Sequence, residues 1–186
     1  MVTQDAKNGF DELLGMCLHE VVKTPANNDW SVKTLDKFAD IRSDKFYILT
    51  ISSYKFRVFL ILHFNEDAKT RTYVANALNL TADKLEDRQY YDFLGEVGNA
   101  FCGIYKRELG KYVPHLGMST PNRMSSETLD HLDIWKHEHT AHVRVKSNDD
   151  ITFYGSIYVS SYGDVDFRLT SKTLNDDIEM GALELF

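Results

Sequence analysis

Apolar residues recur at intervals of three and four near the start of the chain: Phe10, Leu13, Leu14, Cys17, Leu18 and Val21. This spacing is typical of an amphipathic helix with one buried stripe. We therefore predict a helix from about residue 5 to residue 22, ending before Pro25. The following stretch is mixed in character, and residues 30–35 are compatible with a strand.

Two segments rich in Phe, Tyr, Ile, Val and Leu come next, at 45–53 and 55–64, and they predict a β-hairpin. Alternate residues of the second segment are all apolar: Phe56, Val58, Leu60, Leu62 and Phe64. The other face of the same strand carries Phe59 and Ile61, together with Arg57 and His63. A strand that is largely apolar on both faces is typical of the centre of a sheet, so we expect it to be covered on both sides.

Helical spacing returns twice after the hairpin, over residues 66–78 and 82–109. In the shorter helix, Tyr73, Ala77 and Leu78 are expected to face inward. The longer helix is expected to stop at Gly110, because glycine is common where helices end.

The remaining apolar segments have the character of strands. We predict strands at 112–118, 135–145, 151–161 and 164–169. The intervening stretch 119–134 is rich in Ser, Thr, Asn and Asp, and it is predicted to be a surface loop. Together the elements predict an α/β domain of the α+β type, in which two long helices lie on one face of an antiparallel-rich sheet.

Length and composition agree with a globular chain. The 186 residues are 43% hydrophobic, which suits a single domain over 1–186 with a possible tail at 170–186. The 28 acidic residues outnumber the 21 Lys and Arg, and no basic cluster is present, so nucleic acid is not an expected partner. The longest apolar run, 56–64, is far too short to span a bilayer, and we expect no membrane association and a cytoplasmic protein. Cys17 and Cys102 fit no metal-binding spacing and are expected to be reduced thiols.

The long helix carries the most informative polar residues. Its predicted core stripe comprises Tyr90, Phe93, Val97, Phe101 and Ile104. On the opposite side, Asp92, Glu96, Asn99 and Gly103 are spaced by four, three and four, and therefore form one row, which we call the polar row. A carboxylate, an amide and a bare stretch of backbone would thus point to solvent together. At this stage, ordinary solvated residues on the outside of an amphipathic helix explain the same pattern.

Three glycines interrupt the interior of this helix, at positions 95, 98 and 103. Each is expected to cost about 1 kcal/mol of helix stability relative to alanine. Such glycines are kept where another group must come close to the helix backbone. Gly98 lies beside the core stripe and is expected to serve packing, whereas Gly103 lies in the polar row and could admit a partner.

Three short strings continue from the polar row: DFLGEVGNAFCG at 92–103, KRELG at 106–110 and LGMSTP at 116–121. Together they resemble the CheX/CheC family of chemotaxis phosphatases, and CheX most closely. The signature of that family is an acidic residue, two others and Asn, with Gly four residues after the Asn. A strand and a turn containing Ser and Pro follow. The N-terminal helix lacks the second copy of this motif that CheC proteins carry, so a single site is expected.

The resemblance implies a cytoplasmic, homodimeric phosphatase that hydrolyses the aspartyl phosphate of a CheY-type response regulator. Glu96 and Asn99 would be its functional residues, with Asp92 and Gly103 touching the partner. Asn99 would orient the hydrolytic water, and Glu96 would meet a cationic group of the regulator, such as its active-site Lys. Mg²⁺ is expected in the regulator, and no metal or other cofactor in this chain. The alternative is a non-catalytic adaptor of the same fold that binds a response regulator or another signalling partner.

A histidine cluster offers a further alternative, a metal-binding module. It comprises His131, Asp133, His137, His139 and His142. On a strand, His142 would lie on the face opposite His137 and His139, so the set does not converge on one point. We therefore favour an exposed hairpin without metal.

Overall fold

The computed structural model describes residues 1–129 and 136–170. Within these ranges the helices are α1 (Gln4–Val21), α2 (Ala68–Ala77) and α3 (Asp87–Gly110), with a short 3₁₀ helix at Phe38–Asp40. The strands are β1 (Trp30–Leu35), β2 (Lys45–Ser52), β3 (Phe56–Phe64), β4 (Gly117–Met118), β5 (Asn122–Ser125), β6 (His139–Ser147) and β7 (Thr152–Ser161). In the described part of the chain, no helix has both the length and the apolar character needed to cross a membrane.

The strands form one antiparallel sheet in the order β1–β6–β7–β3–β2–β4, and β5 also pairs with β2. Strand β3 lies between β2 and β7, which confirms its predicted central position. Strand β1 pairs with β6 and forms one edge of the sheet. Short strands β4 and β5 lie one after the other along the outer edge of β2.

Helices α1 and α3 pack against each other and against the same face of the sheet, α1 over β6 and α3 over β2. Thr3 starts α1 by accepting a hydrogen bond from the backbone N–H of Ala6. Glu86 and Gln89 form a capping box at the start of α3. The α+β architecture, with two long helices on one face of an antiparallel sheet, is confirmed.

Two apolar clusters lie on the two sides of the sheet. The larger one lies under the helices and includes the predicted inner face of β3, namely Phe56, Val58, Leu60, Leu62 and Phe64. The smaller one lies on the far side and comprises Phe46, Ile61, Leu129 and Tyr158, with Phe38 packed against it. Both faces of β3 are therefore covered, as predicted, and the far side is covered in part by Phe38 and Leu129, which each lie in a short 3₁₀ segment.

Two buried histidines share one hydroxyl on this far side. The Oγ of Ser156 lies 2.9 Å from Nε2 of His63 and 2.9 Å from Nδ1 of His142. Burial, with the neighbouring His142 as a smaller cause, lowers the pKa of His63 to about 3. Burial also lowers the pKa of His142 to about 4. Both rings are consequently neutral at neutral pH.

Three predicted segments differ from the structure. The strand expected at 112–118 is reduced to β4, because Pro114 has no N–H to donate and His115 adopts a left-handed φ of 62°. The surface loop expected at 119–134 contains β5, which pairs with β2. The strand expected at 164–169 is absent, and only an isolated bridge joins Val165 to Val2.

The helix predictions need smaller corrections. Helix α3 begins at Asp87, five residues later than expected, because the capping box fixes its start. In α2, Tyr73 is buried as predicted, but Ala77 is only half-buried and Leu78 is exposed. The buried stripe of α3 is centred on Leu94, Phe101 and Tyr105, so the predicted members Phe93 and Ile104 lie at its margin. Of the predicted tail, residues 171–186 lie outside the described part of the chain.

Candidate functional site

The polar row lies on α3 as one continuous strip opposite the buried stripe. Asp92 and Glu96 are exposed, while Asn99 and Gly103 are half-buried. On a helix, residues three or four apart are neighbours whose Cβ atoms lie roughly 5–6 Å apart. The side chains of Glu96 and Asn99 are therefore adjacent on the outer surface of α3.

The two central side chains of the row are not engaged elsewhere. Among residues 1–129 and 136–170, neither the Glu96 carboxylate nor the Asn99 amide has a hydrogen-bond or ion-pair partner. Asp92 lies 3.5 Å from the guanidinium of Arg88, and both side chains are highly exposed. Exposed pairs of this kind contribute little to stability. The row is thus a set of polar groups available to an outside molecule.

The glycines of α3 divide into packing and open positions. A Cβ at Gly98 would meet Tyr47, Leu49 and Leu62 at 3.5 to 3.8 Å, which places its backbone close to β2 and β3. A Cβ at Gly103 would meet no described heavy atom within 4 Å. Packing therefore accounts for the close approach at Gly98, whereas packing within the described part of the chain gives no reason for a glycine at position 103.

The predicted histidine cluster does not gather in the described residues. His139 contacts Asp11 of α1 on the helical side of the sheet, whereas His142 bonds Ser156 on the far side, as the strand alternation predicts. Over 1–129 and 136–170, no three His, Cys, Asp or Glu side chains are close enough to hold a metal ion. His131 and Asp133 lie outside the described residues.

No model of a protein family matches the chain, and no curated protein matches it. Solved structures do match it. The CheX chemotaxis protein of Vibrio vulnificus superposes with a TM-score of 0.65 at 19% identity, over 82% of this chain and 99% of that one. The chain has the fold of CheX and CheC-like chemotaxis proteins.

Two further structures with the CheX fold support this result. The CheX of Borrelia burgdorferi, solved in complex with CheY, BeF₃ and Mg²⁺, matches with a TM-score of 0.58 at 16% identity, over 82% of this chain and 96% of that one. A CheC-like protein from a Shewanella species matches with a TM-score of 0.56 at 14% identity, over 85% of this chain and 99% of that one. At such identities the likeness establishes the fold, and the roles of Glu96, Asn99, Asp92 and Gly103 stay predictions.

In this CheX-like fold, α3 is fastened to the sheet near the start of the polar row. The hydroxyl of Tyr47 on β2 donates a 2.7 Å hydrogen bond to the backbone oxygen of Tyr91. Burial is the main cause that raises the pKa of Tyr47, and the nearby carboxylate of Asp92 adds to it. The guanidinium of Arg123, on β5, lies 3.7 Å from the centre of the Tyr91 ring. Sequence reasoning missed this cluster because residues 119–134 are predicted to be loop.

A hydrogen bond to α1 holds the other end of α3. The hydroxyl of Tyr105 donates a 3.1 Å hydrogen bond to the backbone oxygen of Phe10. At the same end, within α3 and its C-cap, the buried Glu108 pairs with Arg107 at 2.9 Å and with Lys111 at 2.8 Å. These contacts at both ends fix the direction in which the polar row faces.

Both cysteines, Cys17 and Cys102, are buried and unbridged. Burial raises the pKa of Cys102 to about 12 and that of Cys17 further still. The thiolate is the reactive form, so neither residue is suited to nucleophilic chemistry at neutral pH. The chemically useful groups of the polar row are the carboxylates of Asp92 and Glu96 and the amide of Asn99.

Proposed function

We propose that this protein is a phosphatase that removes the aspartyl phosphate of a CheY-type response regulator, with α3 entering the regulator's active site. The observation that carries the proposal is the pair of unengaged side chains, Glu96 and Asn99, one turn apart on the exposed face of α3. The Borrelia CheX that shares the fold was solved in complex with CheY, BeF₃ and Mg²⁺, which supports a response regulator as the partner.

The chemistry requires little of this chain. An acyl phosphate held beside Mg²⁺ in the regulator is already activated, so hydrolysis needs mainly an oriented water and compensation of charge. The carbonyl and NH₂ groups of the Asn99 amide can accept from and donate to one water molecule and hold it in line with phosphorus. Asn99 would therefore be the catalytic residue. Mg²⁺ would be supplied by the regulator, and this chain would bind no metal.

Glu96 would position the two proteins. Its exposed carboxylate can form a charge-assisted hydrogen bond with a cationic side chain of the regulator, such as the active-site Lys. Asp92 would add a contact one turn earlier. Gly103, with open space above it, would let the regulator's surface approach the α3 backbone.

The assembly and location that we propose are a cytoplasmic homodimer. Strand β1 is an edge strand, paired with β6 alone among the described strands. An edge strand presents unpaired backbone N–H and C=O groups, so a second copy could add to the sheet there. Sedimentation of the purified protein would test this assignment, and a monomer at micromolar concentration would contradict it.

The enzymatic test follows the decay of phosphorylated regulators. Each CheY-type receiver domain of the source organism is phosphorylated with acetyl phosphate, and its dephosphorylation is measured with and without this protein. We expect at least one receiver to lose phosphate faster. Asn99→Ala should abolish the acceleration while leaving binding intact, and Glu96→Ala should weaken both.

Matched controls lie on the other helices. Asn76→Ala on α2 and Glu12→Ala on α1 remove the same chemical groups from exposed helical positions away from the polar row, and both variants should behave like the parent. A non-catalytic adaptor would bind a receiver and leave its decay rate unchanged. Full activity of Asn99→Ala and Glu96→Ala would refute the assigned site.

A further inference from the structure

An exposed cation lies beside the polar row, on a strand that the sequence pattern does not reveal. Arg123 is the second residue of β5 and pairs directly with Tyr47 of β2. Directly paired residues project from the same face of a sheet, so Arg123 rises on the face that carries α3. The pairing of β5 with β2 is what brings this side chain to the site.

Two contacts hold the guanidinium of Arg123 in place. It lies 3.7 Å from the centre of the Tyr91 ring, which is close cation–π geometry. It also lies close enough to the hydroxyl of Tyr47 to lower the pKa of that group, against the burial that raises it. That hydroxyl in turn donates to the backbone oxygen of Tyr91 at 2.7 Å. The guanidinium is therefore fixed relative to α3 before any partner arrives.

The charge of Arg123 is not neutralised within the described part of the chain. The residue is exposed, and no carboxylate in 1–129 or 136–170 forms an ion pair with it. The polar row, which begins at the residue after Tyr91, carries the opposite sign through Asp92 and Glu96. The surface around the start of α3 thus presents anionic and cationic groups side by side, in a protein whose net charge is −7.

The distance along α3 decides which group Arg123 can reach. Tyr91 precedes Asn99 by eight residues, and at 1.5 Å per residue this is a separation of about 12 Å along the helix axis. A guanidinium stacked on Tyr91 cannot contact the phosphoryl group on which Asn99 acts. Its partner must be an anion on the surface that surrounds the phosphorylation pocket.

We propose that Arg123 is a specificity-determining docking residue, which pairs with a surface carboxylate of the response regulator next to the pocket that α3 enters. This assignment rests on the proposed function and adds to it a second anchor of opposite charge. Glu96 selects a cation in the pocket, and Arg123 selects an anion beside it. Two anchors of opposite sign fix the orientation of the regulator and reject regulators with the wrong charge at the rim.

The test separates docking from chemistry. Steady-state dephosphorylation of the regulator identified above is measured for the parent, Arg123→Ala and Arg123→Lys. We expect Arg123→Ala to raise KM about tenfold, equivalent to about 1.4 kcal/mol, with kcat unchanged. Arg123→Lys keeps the charge and should recover most of the loss. Raising NaCl from 50 to 500 mM should narrow the difference between the parent and Arg123→Ala, because salt screens exposed charges.

Arg57→Ala is the matched control. Arg57 is also exposed and lies 5.9 Å from the ring centre of Phe59, but it projects from the opposite face of the sheet. The variant changes the net charge by the same amount and should keep the KM of the parent. An unchanged KM for Arg123→Ala, or an equal rise for Arg57→Ala, would overturn the assignment of Arg123.

Direct binding distinguishes this assignment from the proposed function. The dissociation constant is measured with the BeF₃-treated receiver and with the untreated receiver in Mg²⁺. If the partner of Arg123 is a surface carboxylate, Arg123→Ala should weaken the affinity for both forms by the same factor. A loss of affinity confined to the BeF₃ form would point to the phosphoryl group as the partner and would overturn the assignment of Arg123. If the parent binds a receiver without accelerating its dephosphorylation, the proposed function fails. The change in affinity caused by Arg123→Ala still decides whether Arg123 is a docking residue.

Discussion

Replacing Gly103 with alanine should make the protein more stable and less active. A Cβ added at this position meets no described heavy atom within 4 Å, so the substitution carries no steric cost against residues 1–129 and 136–170. The gain is then the helix propensity difference, about 1 kcal/mol at an interior helical position. For a protein of this size, that gain corresponds to an increase in Tm of about 2–4 °C.

The same methyl group lies in the polar row, where we propose that the regulator approaches the α3 backbone. A Cβ there must either be displaced from the interface or hold the partner away, so KM should rise. Thermal unfolding and regulator dephosphorylation of Gly103→Ala test both halves of this prediction. Gly103→Gln, which has a good helix propensity and a longer side chain, should raise KM further.

Gly110→Ala provides the control for Gly103→Ala. A Cβ added at Gly110 would also meet no described heavy atom within 4 Å, but this glycine is the last residue of α3. Its substitution should leave KM unchanged and raise Tm by less, because helix ends are less sensitive to propensity. An unchanged KM for Gly103→Ala would refute the close approach of a partner, and a lower Tm would refute the open space above the helix.

Two further predictions concern stability. Because burial lowers the pKa values of His63 and His142 below their ordinary 6.5, both rings are neutral when folded and become protonated on unfolding below pH 6.5. The stabilising contribution of the two neutral rings to the free energy of unfolding is therefore fully present above pH 6.5. It is lost as pH falls toward 4, by about 1.4 kcal/mol per pH unit for each ring. In urea titrations between pH 5 and 7, His142→Asn should halve this slope and exposed His115→Asn should leave it unchanged. Gly155→Ala should lower the free energy of unfolding by about 1–3 kcal/mol, because the added Cβ would lie 3.0 Å from the side chain of Leu18. An unchanged urea midpoint for this variant would contradict the prediction.

The parts of the fold that were predicted from the sequence are those whose signal is local. Helix α1 and the β2–β3 hairpin each repeat a hydrophobic period over many residues, and this period alone identifies the element and its buried face. The polar row of α3 was predictable for the same reason. Spacings of four, three and four place four residues on one side of any helix, whatever that helix packs against.

The parts that were missed depend on partners distant in sequence. Strand β5 has four residues with no apolar alternation, and it is a strand because the edge of β2 offers it backbone hydrogen bonds. The segment 164–169 has a better strand pattern, yet it meets only a single bridge at Val2 and forms no ladder. Whether such a short segment forms a strand depends on which sheet edge is available to pair with it, and its own sequence gives little indication of the outcome.

The candidate site depends both on a local sequence pattern and on contacts between segments that are distant in sequence. Glu96 and Asn99 belong to one helix, so their relative position follows from the sequence alone. Any helix with these two residues at the same spacing would place their side chains next to each other. Arg123 reaches α3 only because β5 pairs with β2, so its place beside the row is a property of this fold. A solvated helix face has no requirement for a fixed cation beside it or for an open glycine within it. A docking surface has a use for both, and the joint presence of Arg123 and Gly103 therefore favours docking over an ordinary solvated face.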